Sequence, residues 1–77
     1  MTHFDLFQKA IEEKDYIKAI RLAIQFGREK TSNTEAWLWA HEAFKVALKA
    51  GIYLNPGYES WPDFDDMERQ LDQIKTR

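Results

Sequence analysis

The sequence contains no cysteine, only three glycines and two prolines, and no long apolar run. The missing cysteine excludes disulfides, thiolate nucleophiles and cysteine-ligated zinc or iron-sulfur sites, and it favours a reducing compartment. The longest unbroken apolar run, residues 36–40, is far shorter than the roughly 20 residues that cross a bilayer. The acidic, amphipathic N-terminus predicts no signal peptide. We therefore expect a cytoplasmic protein that does not bind a membrane.

The chain also lacks an excess of charge of one sign. Eleven Lys and Arg residues against thirteen Asp and Glu residues leave a net charge of -2, which gives no general attraction for nucleic acid or anionic lipid. Hydrophobic residues make up 44% of the chain and charged residues 31%, a balance typical of folded soluble proteins. A length of 77 residues predicts a single domain, 1–77, with a small core.

The scarcity of glycine and proline, together with helical periodicity, predicts an all-α fold. Four of the five glycines and prolines lie between residues 51 and 62, so few helix breakers precede them. The apolar spacing predicts helices over 3–13, from 16 to 27–30, and over 33–50, followed by a fourth with Pro62 in its first turn. We expect a compact four-helix antiparallel bundle with a central, mostly buried third helix.

Turn and capping residues predict where these helices begin and end. Three pairs have the spacing of a capping box: Thr2 with Asp5, Ser32 with Glu35, and Ser60 with Asp63. Gly51 stands where a left-handed residue would end the third helix. The tripeptide Asn55-Pro56-Gly57 predicts a type II turn, with proline fixing the first central residue and glycine supplying a positive φ at the second.

The predicted third helix has apolar residues over most of its circumference. Two neighbouring stripes contain them: Trp37, Ala40, Phe44, Ala47 and Leu48 in one, and Trp39, Ala43, Val46 and Ala50 in the other. Such a helix is expected to be buried on several sides. Because Trp37 and Trp39 are two positions apart, they cannot both point into one small core. At least one should pack against another element, a second copy or a partner.

A run of seven residues, Lys-Asp-Tyr-Ile-Lys-Ala-Ile, occupies 14–20, and Leu6 lies one predicted helix earlier. These residues resemble the turn and second-helix start of a tetratricopeptide repeat. The resemblance covers residues 6–26, and Phe7, Lys14 and Thr31 replace the family's small residue, glycine and proline. Because about three repeats are normally needed to bury their apolar faces, we interpret the segment as a helical hairpin and infer no peptide binding from it.

Residues suited to metal or acid-base chemistry are sparse. His41-Glu42 begins like the HExxH helix of a zinc protease, but Lys45 stands where the second histidine is required. The other histidine, His3, is distant in the sequence, and no nucleophile-base motif is present. A chain this short also has difficulty enclosing a pocket of several hundred Å3. We predict no enzymatic activity, no metal site and no cofactor.

Aromatic residues are abundant and make up 14% of the chain. Tryptophan and tyrosine are the residues most enriched at binding hot spots. We therefore predict a small protein-interaction module or regulator that docks an aromatic-apolar surface on a partner protein or on itself as a homodimer. The expected anchors lie on the third helix and the segment that follows it: Trp37, Trp39, Tyr53, Tyr58 and Trp61.

Two charged clusters leave alternative functions open. A basic line on the second helix would give a nucleic-acid-associated regulator its phosphate contacts: Lys14, Lys18, Arg21 and Arg28. An acidic patch at the start of the fourth helix would let an inhibitor bind a basic protein surface: Asp63, Asp65, Asp66 and Glu68. The net charge argues against nucleic-acid binding. A solvated helix face and a favourable helix dipole explain both clusters without a partner.

Overall fold

The computed structural model describes residues 2–57 and 60–75 of the chain. It contains four helices: α1 (His3–Glu12), α2 (Tyr16–Arg28), α3 (Asn33–Lys49) and α4 (Phe64–Lys75). These residues form no strand, so the predicted all-α class with four helices is confirmed. The principal-axis extents of 31 × 29 × 16 Å describe a flattened arrangement.

A seam of small residues joins α2 to α3, the two helices in most extensive contact. On α2, Ala19, Ala23 and Gly27 are buried at intervals of four residues. The buried residues of α3 are also mostly small: Ala36, Ala40, Ala43, Val46 and Ala47. Small side chains allow two helix axes to approach closely. A Cβ atom built on Gly27 would indeed lie only 3.1 Å from the Cβ atom of Trp39 on α3.

The central helix is α2. It packs against each of the other three helices, whereas α3 packs mainly against α2. On α3, Leu38 and Leu48 remain 59% and 52% exposed. The prediction of a central, mostly buried third helix is therefore wrong. The physical reason is that α3 buries its small residues in the seam and leaves several of its large residues outside it.

An aromatic cluster ties α1 to α2 and α3. The ring of Trp39 meets those of Phe7 and Phe26 edge to face, with centroids 5.5 and 5.3 Å apart. His3 stacks on Phe26 at 4.0 Å, and Phe4 lies 6.5 Å from Trp39. Each such aromatic pair adds about 0.5–1.5 kcal/mol beyond the burial of its area. Trp39 is therefore a packing residue shared by three helices.

The helix α4 covers α2 through three buried side chains, Phe64, Met67 and Leu71. The closest approach is between Phe64 and Gly27. A Cβ atom at Gly27 would lie 2.8 Å from Cε1 of the Phe64 ring, well inside van der Waals contact. The missing side chain of Gly27 therefore creates the space that this ring occupies.

Residues 52–57 and 60–63, between α3 and α4, are irregular but are attached to the helices. Leu54 is fully buried in the core. The Asn55 N–H donates to Oε1 of Gln70 at 3.1 Å, and Nε2 of Gln70 donates to the Asn55 carbonyl at 3.2 Å. The Asp63 N–H donates to the Pro56 carbonyl at 3.1 Å. The segment therefore positions α4 as well as connecting it.

Two of the predicted capping arrangements are confirmed. Thr2 and Asp5 form the reciprocal capping box at the start of α1. Gly51 ends α3 with a φ of +76°. Its N–H donates to the Leu48 carbonyl at 3.0 Å, and the Ile52 N–H donates to the Ala47 carbonyl at 2.8 Å. This pair of hydrogen bonds is the Schellman motif that glycine favours.

The other two capping boxes were predicted wrongly. Ser32 precedes α3, but its side chain makes no capping hydrogen bond. At α4 the cap is Asp63, whose Oδ1 accepts from the Asp66 N–H at 3.0 Å. The helix therefore begins after Pro62, because the aspartate side chain supplies the capping acceptor expected from Ser60. The predicted positive φ at the 55–57 turn is confirmed, since the glycine there has a φ of +96°.

The turn between α1 and α2 holds Lys14 in the left-handed region, with a φ of +60°. The Lys14 and Asp15 N–H groups donate to the Ile11 and Ala10 carbonyls, both at 2.9 Å. This is a second Schellman motif, and its left-handed position is normally glycine. A side chain at that position costs about 1–2 kcal/mol.

Lys14→Gly is therefore expected to raise the free energy of unfolding by about 0.5–1 kcal/mol, because relief of the left-handed strain exceeds the added entropy of the unfolded chain. Urea denaturation measures this change. Lys9→Gly, which removes the same side chain from an exposed position within α1, should lower stability by about 0.5–1 kcal/mol. A loss of stability in both variants would contradict the expectation.

Gly27→Ala tests the close approach of α4. The free-energy cost of overpacking against Phe64 should exceed the gain from alanine's higher helix propensity. The net effect should be a free energy of unfolding lower by about 1–2 kcal/mol. Gln25→Ala, at an exposed position of the same helix, should change it by less than about 0.5 kcal/mol. A gain of about 1 kcal/mol in Gly27→Ala, as propensity alone predicts, would show that Phe64 does not depend on this glycine.

Candidate interaction surface

Aromatic rings and one leucine are grouped on the outer flank of α3 and just beyond its end. We name this group the α3 stripe, and it consists of five residues: Trp37, His41, Phe44, Leu48 and Tyr53. The rings of Trp37 and His41 are 5.6 Å apart, and those of Phe44 and Tyr53 meet edge to face at 5.8 Å. Leu48 and Tyr53 are 52% and 65% exposed, and His41 is also exposed.

The position of the α3 stripe follows from the seam. Each of its four helical residues comes directly after a seam alanine, as Trp37 follows Ala36 and Leu48 follows Ala47. One residue along an α-helix is a rotation of about 100°. When the alanines face α2, the next side chains therefore point to the flank instead of into the core.

The structure separates the predicted anchors. Trp37 and Tyr53 belong to the α3 stripe, although Trp37 is half-buried and packs partly on the core. Trp39 belongs to the aromatic cluster and so contributes to packing. Trp61, which is 38% exposed, lines a different groove beside Arg28. Tyr58 lies outside the described residues.

Three members of the α3 stripe were not among the predicted anchors, namely His41, Phe44 and Leu48. A sequence signal for them exists, because all three follow an alanine at the recurring seam positions. Periodicity that counts alanine and tryptophan alike as apolar does not separate the seam from its flank. The difference in side-chain size does separate them.

An apolar groove of about 290 Å3 lies between α1 and α3, apart from the α3 stripe. Phe4, Leu38 and Trp39 form its apolar lining, while Lys30 and Glu35 contribute charged groups. Phe4 is 50% exposed and Leu38 59% exposed. The groove is therefore a shallow depression in the surface next to the aromatic cluster.

The predicted basic line and acidic patch face each other across α2 and α4. The guanidinium of Arg28 contacts the carboxylates of Asp65 at 2.7 Å and Glu68 at 2.5 Å. The guanidinium of Arg21 contacts Asp72 at 2.5 Å and Glu68 at 3.9 Å. Members of each predicted patch are therefore counter-ions of the other. Through these ion pairs both arginines of α2 attach α4 to α2.

The remaining charged candidates have local roles or extend into solvent. Lys14 occupies the α1–α2 turn and Lys18 is exposed on α2. Asp63 caps α4, and Asp66 pairs with Arg69 at 3.4 Å. The structure does not bring the four basic residues into one unpaired cluster. Nucleic-acid contact and binding to a basic protein through these residues stay predictions.

No group of three potential metal ligands comes together among residues 2–57 and 60–75. His41 lies against Trp37, whereas His3 stacks on Phe26 and has Nδ1 3.9 Å from Glu29. The two histidines therefore take part in separate aromatic contacts. The absence of catalysis, metal and cofactor remains a prediction from the sequence.

No protein-family model matches this chain, and no match is found among curated proteins or solved structures. In the part of the chain that the structure describes, none of the helices combines the length and apolar character needed to cross a bilayer.

The pairing of α2 with α4 predicts measurable coupling between Arg28 and Glu68. In a double-mutant cycle with Arg28→Gln and Glu68→Gln, we expect a coupling of about 0.5 kcal/mol in dilute buffer, since both groups are partly exposed. At about 1 M salt the coupling should be largely screened. The cycle of Arg69→Gln with Glu68→Gln is the control and should show almost none. Equal coupling in the two cycles would contradict an ion pair between Arg28 and Glu68.

Proposed function

We propose that this protein is a small protein-binding module or regulator that docks the α3 stripe on another polypeptide. The observation that carries the proposal is the exposed part of the stripe, which continues from Trp37, a residue packed partly on the core. Leu48 and Tyr53 are each more than half exposed. Large apolar side chains grouped on one surface are typical of sites that a protein partner covers.

The shape of the stripe supports a helix or an apolar groove as the partner surface. Its helical part, from residue 37 to residue 48, extends for about 17 Å at the usual rise of an α-helix. Anchors that recur every three or four residues are the pattern with which an amphipathic helix binds an apolar groove or another helix. Burial of a single hot-spot aromatic contributes at least about 2 kcal/mol to such binding.

The proposed role is binding, without catalysis or a cofactor. The absence of a nucleophile-base motif supports this part of the proposal. A cytoplasmic location also belongs to it, supported by the absence of cysteine from the sequence. Among the alternatives, neither phosphate binding nor capture of a basic protein gains support, because Arg21 and Arg28 neutralise carboxylates on α4.

Site-specific photo-crosslinking tests the proposed surface. A photoreactive residue in place of Tyr53 should form a covalent adduct with a polypeptide in cells that express the protein. The same residue in place of Gln25, an exposed position on α2, should form no such adduct. Equal crosslinking from the two positions, or none from Tyr53, would overturn the proposal.

Leu48→Ser is expected to lower the yield of the Tyr53 adduct at least about tenfold, because it removes an apolar contact from the stripe. Leu48 is half exposed, so its loss should change the free energy of unfolding by less than about 1 kcal/mol. The matched control is Leu6→Ser, which makes the same change on α1, where the leucine is 38% exposed. An undiminished adduct yield in Leu48→Ser would contradict the role of the stripe.

A further inference from the structure

The residues with which α4 meets α2 follow one regular pattern. Its three buried side chains, Phe64, Met67 and Leu71, are separated by intervals of three and four residues. The carboxylates that pair with arginines of α2 each come one position after a buried side chain: Asp65, Glu68 and Asp72. The contact surface of α4 therefore consists of an apolar row and an acidic row side by side.

The face of α2 beneath α4 is complementary to both rows. Gly27 leaves the space that the Phe64 ring occupies, and Arg21 and Arg28, about two helical turns apart, meet the acidic row. In charge, α2 contains three cations and no acidic residue, whereas α4 contains four carboxylates and two cations. Anchors at intervals of three and four residues are the pattern with which amphipathic helices bind a groove.

The attachment of α4 to the rest of the fold is the most easily separated. It packs mainly against α2, whereas α1, α2 and α3 are joined by the small-residue seam and the aromatic cluster. The Arg21 and Arg28 side chains are 36% and 41% exposed, so water can replace their ion pairs. An open gap of about 330 Å3, lined by Ile24 and both arginines, also remains at this interface. Elements attached in this way open locally before the whole domain unfolds.

The residues before α4 allow it to leave without detaching the chain that precedes it. Leu54 is fully buried in the core and holds that chain in place. Between Leu54 and α4, the hydrogen bonds join the Gln70 amide to the Asn55 backbone and the Asp63 N–H to the Pro56 carbonyl. Each of these groups can bond to water instead. A released α4 therefore stays tethered close to the face that it leaves.

We infer that α4 is the resident occupant of a helix-binding site on α2, and that an acidic amphipathic helix of another protein takes its place. The chemistry of that helix is given by α4 itself. It has an aromatic ring, apolar side chains three and seven positions later, and a carboxylate directly after each of these three residues. In the free chain α4 closes the site and so lowers its apparent affinity for the partner.

Hydrogen exchange of the full chain tests whether α4 opens separately. Amides of α4 should exchange at least about tenfold faster than buried amides of α3, after correction for their intrinsic rates. Arg28→Gln should accelerate exchange in α4 about two- to fivefold in dilute buffer and leave α3 unchanged. The control Lys18→Gln, at an exposed position of α2, should leave both unchanged. Equal protection of α3 and α4 would show that α4 leaves only on global unfolding and would overturn the inference.

A peptide in trans tests the site itself. The probe is a fluorescein-labelled peptide with the sequence of residues 60–75, and its binding to the full chain is measured by fluorescence polarisation. Glu68→Arg in the chain weakens only the resident helix, so this variant should bind the peptide at least about tenfold more tightly than the unaltered chain. The matched control Glu12→Arg, at an exposed position of α1, should bind it as the unaltered chain does, within about twofold.

Two altered peptides test which features are recognised. Replacement of the three carboxylates by Asp65→Lys, Glu68→Lys and Asp72→Lys should abolish binding to the Glu68→Arg chain, because the arginines of α2 then meet like charges. Phe64→Ala should weaken binding at least about 30-fold, because it leaves the space above Gly27 unfilled. Binding of the lysine peptide as tight as that of the acidic one, or no binding of the acidic peptide, would overturn the inference.

The remaining outcomes identify the source of the helix and separate this inference from the proposed function. A dimer of the unaltered chain that the acidic peptide converts to a monomer, measured by light scattering, would assign the site to α4 of a second copy and overturn the partner inferred here. The site lies on α2, apart from the α3 stripe. Crosslinking from Tyr53 therefore does not depend on it, and either proposal can fail while the other stands.

Discussion

The close approach of α2 and α3 is the constraint on which the rest of the structure depends. Ala19 and Ala23 on α2 and the row of alanines on α3 leave little side-chain volume between the two helices. The large residues of α3 are then distributed around the seam. Trp39 packs against the rings of α1 and α2, while Phe44 and Leu48 lie on the outer flank. The candidate surface is therefore a geometric consequence of how the core is packed.

The existence of the helices could be predicted from the sequence because the necessary signals are local. Apolar periodicity, a reciprocal cap at Thr2 and a left-handed residue at Gly51 all act within a few positions of each other. Local signals were less reliable at α4, where two acceptors compete for the cap. Asp63 holds that role, because its carboxylate oxygen accepts from the N–H of Asp66.

The arrangement of the helices could not be obtained from the same signals. Hydropathy treats Ala40 and Trp39 alike as apolar, whereas packing separates them by size, so the most apolar helix was wrongly expected at the centre. The charged clusters posed a similar difficulty. Arg21 and Asp72 are 51 positions apart in the chain, and only the tertiary fold shows that such groups face one another. Of the predicted anchors, Trp37 and Tyr53 lie on one surface. The alternation of small and large side chains along α3 marks this surface in retrospect.

The pairing of the α2 arginines with carboxylates of α4 affects the rate at which a partner would associate. Because Arg21 and Arg28 have carboxylates as neighbours, that side of the molecule presents little net field at the distance from which a partner approaches. The stripe itself contains no Lys, Arg, Asp or Glu residue. An encounter through the stripe would therefore proceed without long-range steering, at about 10⁵–10⁶ M⁻¹ s⁻¹. Differences in affinity among stripe variants would then arise chiefly from the rate of dissociation.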